Sequence, residues 1–148
     1  MTAPAALRIY LDANILIYLI EGYAEHEPAL QVVLAEFERG DSQFVTSELS
    51  LAEVLVQPLR QKRNDLVDKY ENLLAPEAGI ETKAIDATIL RRSADLRANL
   101  GGSLMDAIHL ATAAFHNCSI ILSEDNRLKV PAAMKRLSLS DFAGQFSK

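Results

Sequence analysis

Apolar residues fall along the chain in two alternating rhythms. Short apolar runs at 8–11, 43–46 and 119–122 have the length of strands, and 119–122 (SIIL) reads as the most deeply buried. Between them, apolar residues recur every three or four positions, the spacing that lines one face of a helix. The pattern predicts a helix over 15–21 with Gly22 as its stop. A second starts near Pro28, carries Leu30, Val33, Leu34 and Phe37 on one face and closes at Gly40, and a third covers 48–56. Pro58 is expected to break or kink that helix before a more polar one over 59–74. Further on, the chain predicts a short strand within 79–85, a helix over 86–100 ended by Gly101-Gly102, a helix capped by Ser103 and running to about 116, and an edge strand over 136–139. Strands alternating with helices require crossover connections, so the expected fold is α/β, a three-layer α/β/α sandwich with a mostly parallel central sheet. No repeat or long linker interrupts it, and 1–148 reads as a single domain with its core over about 8–140.

Composition agrees with a buried core. The 148 residues are 49% hydrophobic and 24% charged, with a mean hydropathy of +0.06, and a domain of this size buries roughly 68–70% of its unfolded surface. Cys118 is the single cysteine, which excludes an intramolecular disulfide and an all-cysteine zinc cage and suits a reducing cytoplasm. The start lacks a basic segment followed by a long apolar one, and the apolar run at 15–20 falls far short of the ~20 residues of a membrane span. A cytoplasmic protein without membrane contact is therefore expected. Fifteen Lys+Arg against twenty Asp+Glu give a net charge of −5, so bulk electrostatics would repel a polyanion. Arg60, Lys62, Arg63, Arg91, Arg92 and Arg97 nevertheless form local basic clusters.

Four acids sit where acids are costly. Asp12 ends the first strand, Glu53 is the sole charge between Leu49 and Val56, Asp106 is the sole charge between Leu104 and Phe115, and Asp125 follows the 119–122 strand. Each has an ordinary reading. Asp12 could cap a helix, Asp106 completes a Ser103-x-x-Asp106 capping box, and Asp125 suits a turn, whereas a mid-helix Glu53 among aliphatics has no capping duty. Ser50, Glu53 and Gln57 form one narrow polar stripe, and Asp106, His109 and Thr112 another; the two could face the same place. Carboxylates gathered there would repel one another and raise their proton affinities unless a divalent cation offset the charge, and hard oxygen ligands suit Mg²⁺ or Mn²⁺. P-loop, dinucleotide, hydrolase-elbow and zincin motifs are missing from the sequence. His109, His116 and Cys118 read as core-edge residues rather than a zinc site, His26 as surface, and Tyr10, Tyr18, Phe37, Phe44 and Phe115 as core aromatics.

In order, Leu-Asp-Ala-Asn with Asp12 and Asn14, Leu-Ala-Glu-Val-Leu with Glu53, Leu-Met-Asp-Ala-Ile-His-Leu-Ala-Thr-Ala with Asp106, and Leu-Ser-Glu-Asp with Ser123 and Asp125 resemble the PIN domain family. Within it the chain is similar to VapC-type toxins of prokaryotic toxin–antitoxin pairs. The likeness spans about residues 9–125. It implies a Mg²⁺- or Mn²⁺-dependent endoribonuclease acting on structured RNA of the tRNA or rRNA class, a cognate small antitoxin and a homodimer. On that reading Asp12 and Asp106 ligate the metal, Glu53 positions the attacking water, Asp125 completes the first or a second metal site, and Asn14 and Ser123 donate hydrogen bonds that orient the carboxylates. The adjacent pair Glu124-Asp125 leaves two candidates for the fourth acid, and the Ser-x-Asp spacing favours Asp125. The aliphatic excess at 15–20 and 30–37 hints at an interface.

Two rivals are separable. A phosphoacceptor receiver domain would need paired acids after the first strand, and only Asp12 stands there. A non-catalytic PIN-fold module binding RNA or protein would share the fold but cleave nothing.

Overall fold

A computed structural model describes residues 6–147; residues 1–5, on which the expected lack of a leader partly rests, and Lys148 lie outside the described residues. The elements run β1 (Leu7–Leu11), α1 (Ala13–Glu21), a single 3₁₀ turn (Ala24–His26), α2 (Glu27–Arg39), β2 (Ser42–Ser47), α3 (Glu48–Arg60), α4 (Asn64–Leu73), β3 (Glu81–Lys83), α5 (Ala87–Leu100), α6 (Leu104–Phe115), β4 (Ile120–Leu122), β5 (Lys135–Leu137) and α7 (Leu139–Phe146). All five strands are parallel, in the order β3-β2-β1-β4-β5. The chain first builds outward from β1 through β2 to β3, then returns to add β4 and β5 on the other side. The order therefore reverses between β1 and β4, and the crevice at the carboxyl ends of strands that flank such a reversal is where open α/β sheets bind ligands.

One apolar layer buries Ile9, Leu11, Ile15, Leu16, Phe44, Val54, Tyr70, Leu139 and Phe142 against one face of the sheet. The other packs Tyr10, Val45, Leu110, Ala113 and Ile121 beneath α5 and α6. Because successive strand residues point to opposite faces, Ile9 and Tyr10 fall in different layers. Polar tethers fix the frame. Arg8 bonds Glu81, Gln43 and the His116 carbonyl at the far end of the sheet, and the Tyr70 hydroxyl donates to Glu21 to hold α4 against α1. Gly79 has φ +97°, and a Cβ there would lie 2.9 Å from the Phe37 ring, so this loop position requires glycine.

Several expectations change. Pro58 does not break α3 but lies buried inside it, two residues before the end; it forgoes one i→i−4 bond, and its own carbonyl accepts from the Arg63 N–H. The break comes at Lys62, whose left-handed φ of 55° closes a Schellman motif: Lys62 N–H donates to the Leu59 carbonyl and Arg63 N–H to that of Pro58. Leu34 is 39% exposed rather than buried on the α2 face, while Glu36 is buried and accepts from Ser42 and Arg39. The edge strand ends at Leu137, and an unexpected helix, α7, packs Leu139 and Phe142 into the core against α2. Phe115 is 38% exposed with the Arg92 guanidinium 5.1 Å from its ring centroid, so it is not a core aromatic. Tyr18 and Phe37 are half-buried. His26 is partly covered between Tyr18 and Tyr23. Among the described residues, no helix is long and apolar enough to cross a membrane.

Candidate active site at the carboxyl ends of β1 and β4

Asp12 is the residue after β1, and a cap on α1 as well: Oδ1 accepts from the Ala13 N–H at 2.8 Å. Its other oxygen, Oδ2, accepts from Ser123 Oγ at 2.6 Å and from Asn14 Nδ2 at 3.4 Å. The capping and site readings of Asp12 thus divide between its two oxygens. Pairing of β1 with β4 puts Leu11 beside Leu122, which brings Ser123 alongside Asp12 across the sheet. Ser123 also accepts from the Asp125 N–H at 3.1 Å, and Asn14 accepts from the Glu124 N–H at 3.4 Å, so the loop after β4 is bound to the start of α1.

The two acids of that loop part company. Glu124 turns away: Oε1 accepts from the Leu139 N–H at 2.6 Å at the start of α7, and Oε2 lies 3.5 Å from His26 Nε2. Asp125 accepts from the backbone N–H and the guanidinium of Arg127, at 3.0 and 3.2 Å. Those bonds hold its carboxyl below the usual carboxylate range, against the rise expected for a clustered acid.

Asp106 lies in the first turn of α6, where Ser103 Oγ accepts from its N–H at 3.1 Å, one half of the expected capping box. Burial raises the proton affinity of its carboxyl, the negative charges of Asp12 and Asp125 raise it further, and Ser103 opposes them. This links Asp12, Asp106 and Asp125 electrostatically. Among the described residues neither Asp12 nor Asp106 forms an ion pair with lysine or arginine.

Glu53 reaches the cluster from α3 by way of a residue that the sequence reading placed at the core edge. His109 Nε2 lies 2.5 Å from Glu53 Oε1 and 3.9 Å from Asp12 Oδ1, and Tyr10 Oη lies 2.5 Å from His109 Nδ1. The middle members of the two polar stripes therefore meet, while their ends diverge. Gln57 is exposed, and Thr112, about 120° around α6 from Asp106, donates to the Ile108 carbonyl of its own helix. Ser50 is buried and joins Thr46, which donates to the Leu11 carbonyl just before Asp12. Occupation of both His109 nitrogens fits its non-zinc reading, and burial pushes the Cys118 thiol up to about 11.

The donor set consists of carboxylate oxygens, the hard ligands that suit Mg²⁺ or Mn²⁺, gathered without a neutralising cation on Asp12 or Asp106. Among the described residues no three histidine, cysteine, aspartate or glutamate side chains stand as a ready-made metal cage. The residues fit such an ion in chemistry, without closing around a point.

The fold has known counterparts. A toxin–antitoxin complex from Klebsiella pneumoniae contains a chain 26% identical to this one, with a TM-score of 0.63 over 81% of this chain and 88% of that one. VapBC2 from Rickettsia felis, bound to a DNA fragment from its promoter, matches at 15% identity and a TM-score of 0.67, covering 89% of this chain and 98% of the other. FitAB bound to the IR36 DNA fragment matches at 18% identity and a TM-score of 0.69, covering 88% and 94%. No curated protein matches significantly in sequence. The family model of the PIN domain matches residues 9–133, a stretch that begins inside β1 and takes in Asp12, Glu53, Asp106 and Asp125, and the chain accordingly belongs to the PIN domain family.

Proposed function

We propose that this protein is a metal-dependent endoribonuclease, the toxin member of a type II toxin–antitoxin pair. The observation that carries the reading is the meeting of Asp12 and Asp125 at Ser123, on the switch point of a parallel sheet, with Glu53 bonded to His109, which lies 3.9 Å from Asp12 on the helix whose first turn holds Asp106. Asp12 and Asp106 would hold the ion, Asp125 would complete that site or a second one, and Glu53 would orient the attacking water. A divalent ion bound there lowers the pKa of water and offsets charge on the scissile phosphate.

The chain's own contribution is positional. The Ala13 N–H and the Ser123 hydroxyl each occupy one lone-pair direction of Asp12 and set the carboxylate plane. Arg127 keeps Asp125 ionised, and Asn14 ties the β4 loop to α1. Because water rather than the ribose 2′-hydroxyl is the nucleophile in this scheme, the products carry 5′-phosphate and 3′-hydroxyl ends.

The likeness to a chain of the Klebsiella pneumoniae toxin–antitoxin complex supports an antitoxin as partner. An apolar cavity of about 210 Å³ between α1 and α2, lined by Leu19, Ile20, Val33, Leu34 and Phe37, is consistent with a protein contact there, either antitoxin or a second copy. The substrate is RNA of the tRNA or rRNA class, and the compartment the cytoplasm.

The test is cleavage of total RNA by purified protein with Mg²⁺ or Mn²⁺, with EDTA, and with Asp12→Asn and Asp106→Asn. Cutting that needs the ion and both acids supports the proposal. Cutting that survives both substitutions rejects this site, and RNA binding without cutting would identify a non-catalytic PIN module.

A further inference from the structure

His109 is 2% exposed, and each of its ring nitrogens has one short partner from a different element. Nδ1 lies 2.5 Å from the hydroxyl of Tyr10 on β1, and Nε2 lies 2.5 Å from Glu53 Oε1 on α3. Tyr10 itself is fully buried and meets the imidazole edge-on, with ring centroids 5.6 Å apart and planes at 64°. Its position two residues before Asp12 roots this chain of contacts in the central strand.

The proton positions follow from the groups. A carboxylate only accepts, so the Nε2 facing Glu53 carries a hydrogen. In a singly protonated ring Nδ1 is then an acceptor, and the Tyr10 hydroxyl donates to it. Each bond thereby fixes the direction of the next. Glu53 lies mid-helix and half-buried, and its three side-chain torsions would otherwise allow it to swing outward. The same Nε2 stands 3.9 Å from Asp12 Oδ1, so the bond that restrains Glu53 also turns it toward Asp12.

We propose that His109, oriented by Tyr10, is a positioning residue that holds the Glu53 carboxylate at the acidic rim. The proposal rests on the nuclease reading for its catalytic consequence but not for its geometry. Tyr10 and His109 touch neither substrate nor ion in this scheme; they act through Glu53.

Two measurements test it. Long-range ¹H–¹⁵N spectra of the ion-free protein should give His109 a protonated Nε2 and an unprotonated Nδ1. Glu53→Gln should shift the Nε2 resonance more than Nδ1, and Tyr10→Phe should do the reverse. In RNA cleavage with Mn²⁺, His109→Leu should lower kcat by about 10- to 100-fold and leave KM for RNA within roughly twofold. His109→Gln, whose amide nitrogen can approach the position of Nε2, should recover part of that loss. A His109 Nε2 that lacks a hydrogen, or that ignores Glu53→Gln, overturns the tether, as does a folded His109→Leu protein with wild-type kcat. If His109→Leu does not fold, Tyr10→Phe and His109→Gln make the kinetic comparison. Should the wild-type protein cut no RNA, the nuclease reading fails on its own, and the imidazole spectra still decide whether His109 holds Glu53.

Discussion

Ser123 Oγ donates to Asp12 Oδ2 at 2.6 Å across 111 residues of chain, and both groups are buried. Ser123→Ala would leave that carboxylate oxygen with Asn14 as its remaining side-chain donor, at 3.4 Å. Loss of a hydrogen bond to a buried charge costs about 1–3 kcal/mol, so the urea midpoint should fall by a corresponding amount. RNA cleavage should weaken in the same variant, because the carboxylate loses one of the two bonds that set its plane.

The ionised form of Asp106 is disfavoured in the ion-free fold. Its proton affinity is raised by burial first and then by Asp12 and Asp125. A carboxyl whose folded pKa lies above the unfolded one favours the fold while protonated and loses that contribution as pH rises through the folded value. Asp106→Asn should therefore melt higher than wild type in EDTA at pH 7, with the advantage shrinking toward pH 4 as the wild-type carboxyl takes up its proton. The same substitution should abolish cleavage. Equal melting temperatures across that range would show that Asp106 is not electrostatically strained.

Glu124 and Asp125 should separate in opposite senses. Glu124→Ala removes the acceptor for the Leu139 N–H at the start of α7, a capping contact whose loss typically costs about 1 kcal/mol, and it should leave cleavage intact. Asp125→Asn should change stability less and reduce cleavage more. The reverse pattern, read from denaturation curves beside RNA assays, would make Glu124 the fourth acid.

Lys62 holds φ at 55° in the Schellman turn after α3. Non-glycine residues pay roughly 1–2 kcal/mol there, whereas glycine pays in chain entropy instead. Lys62→Gly should raise stability by about 0.5–1 kcal/mol, visible as a higher denaturation midpoint. A loss would mean that the lysine side chain makes a contact worth more than the strain.

Much of the fold was readable because periodicity and punctuation agree. The Gly22 and Gly40 stops, the Ser103 cap and the 119–122 strand all lie where their chemistry directs. The acids were readable because a lone charge such as Glu53 in an aliphatic helix stands out against its neighbours. Their mutual distances were not, since these depend on strand order. α7 was legible in principle, as Ser138 and Asp141 form a complete capping box, but its short apolar pattern was taken up by the adjoining strand. Pro58 misled because a proline removes one i→i−4 bond and crowds the turn before it without obliging the helix to end there. Asp125 departs from the expected upward shift because Arg127, two residues on, supplies two local donors that outweigh the cost of burial. The link from Tyr10 through His109 to Glu53 was not legible, because a tyrosine in a strand and a histidine in an apolar helix each pass for packing until their partners are known.

The order of the strands also has a temporal meaning during synthesis. The central strand emerges first, yet the hydroxyl that steadies Asp12 belongs to Ser123, and that residue arrives only when the fourth strand slots in beside the first. A nascent polypeptide stalled anywhere before that docking would carry three of the four acids without a finished pocket. On the proposed reading, a ribosome making this protein is shielded from it until the fourth strand has joined the sheet.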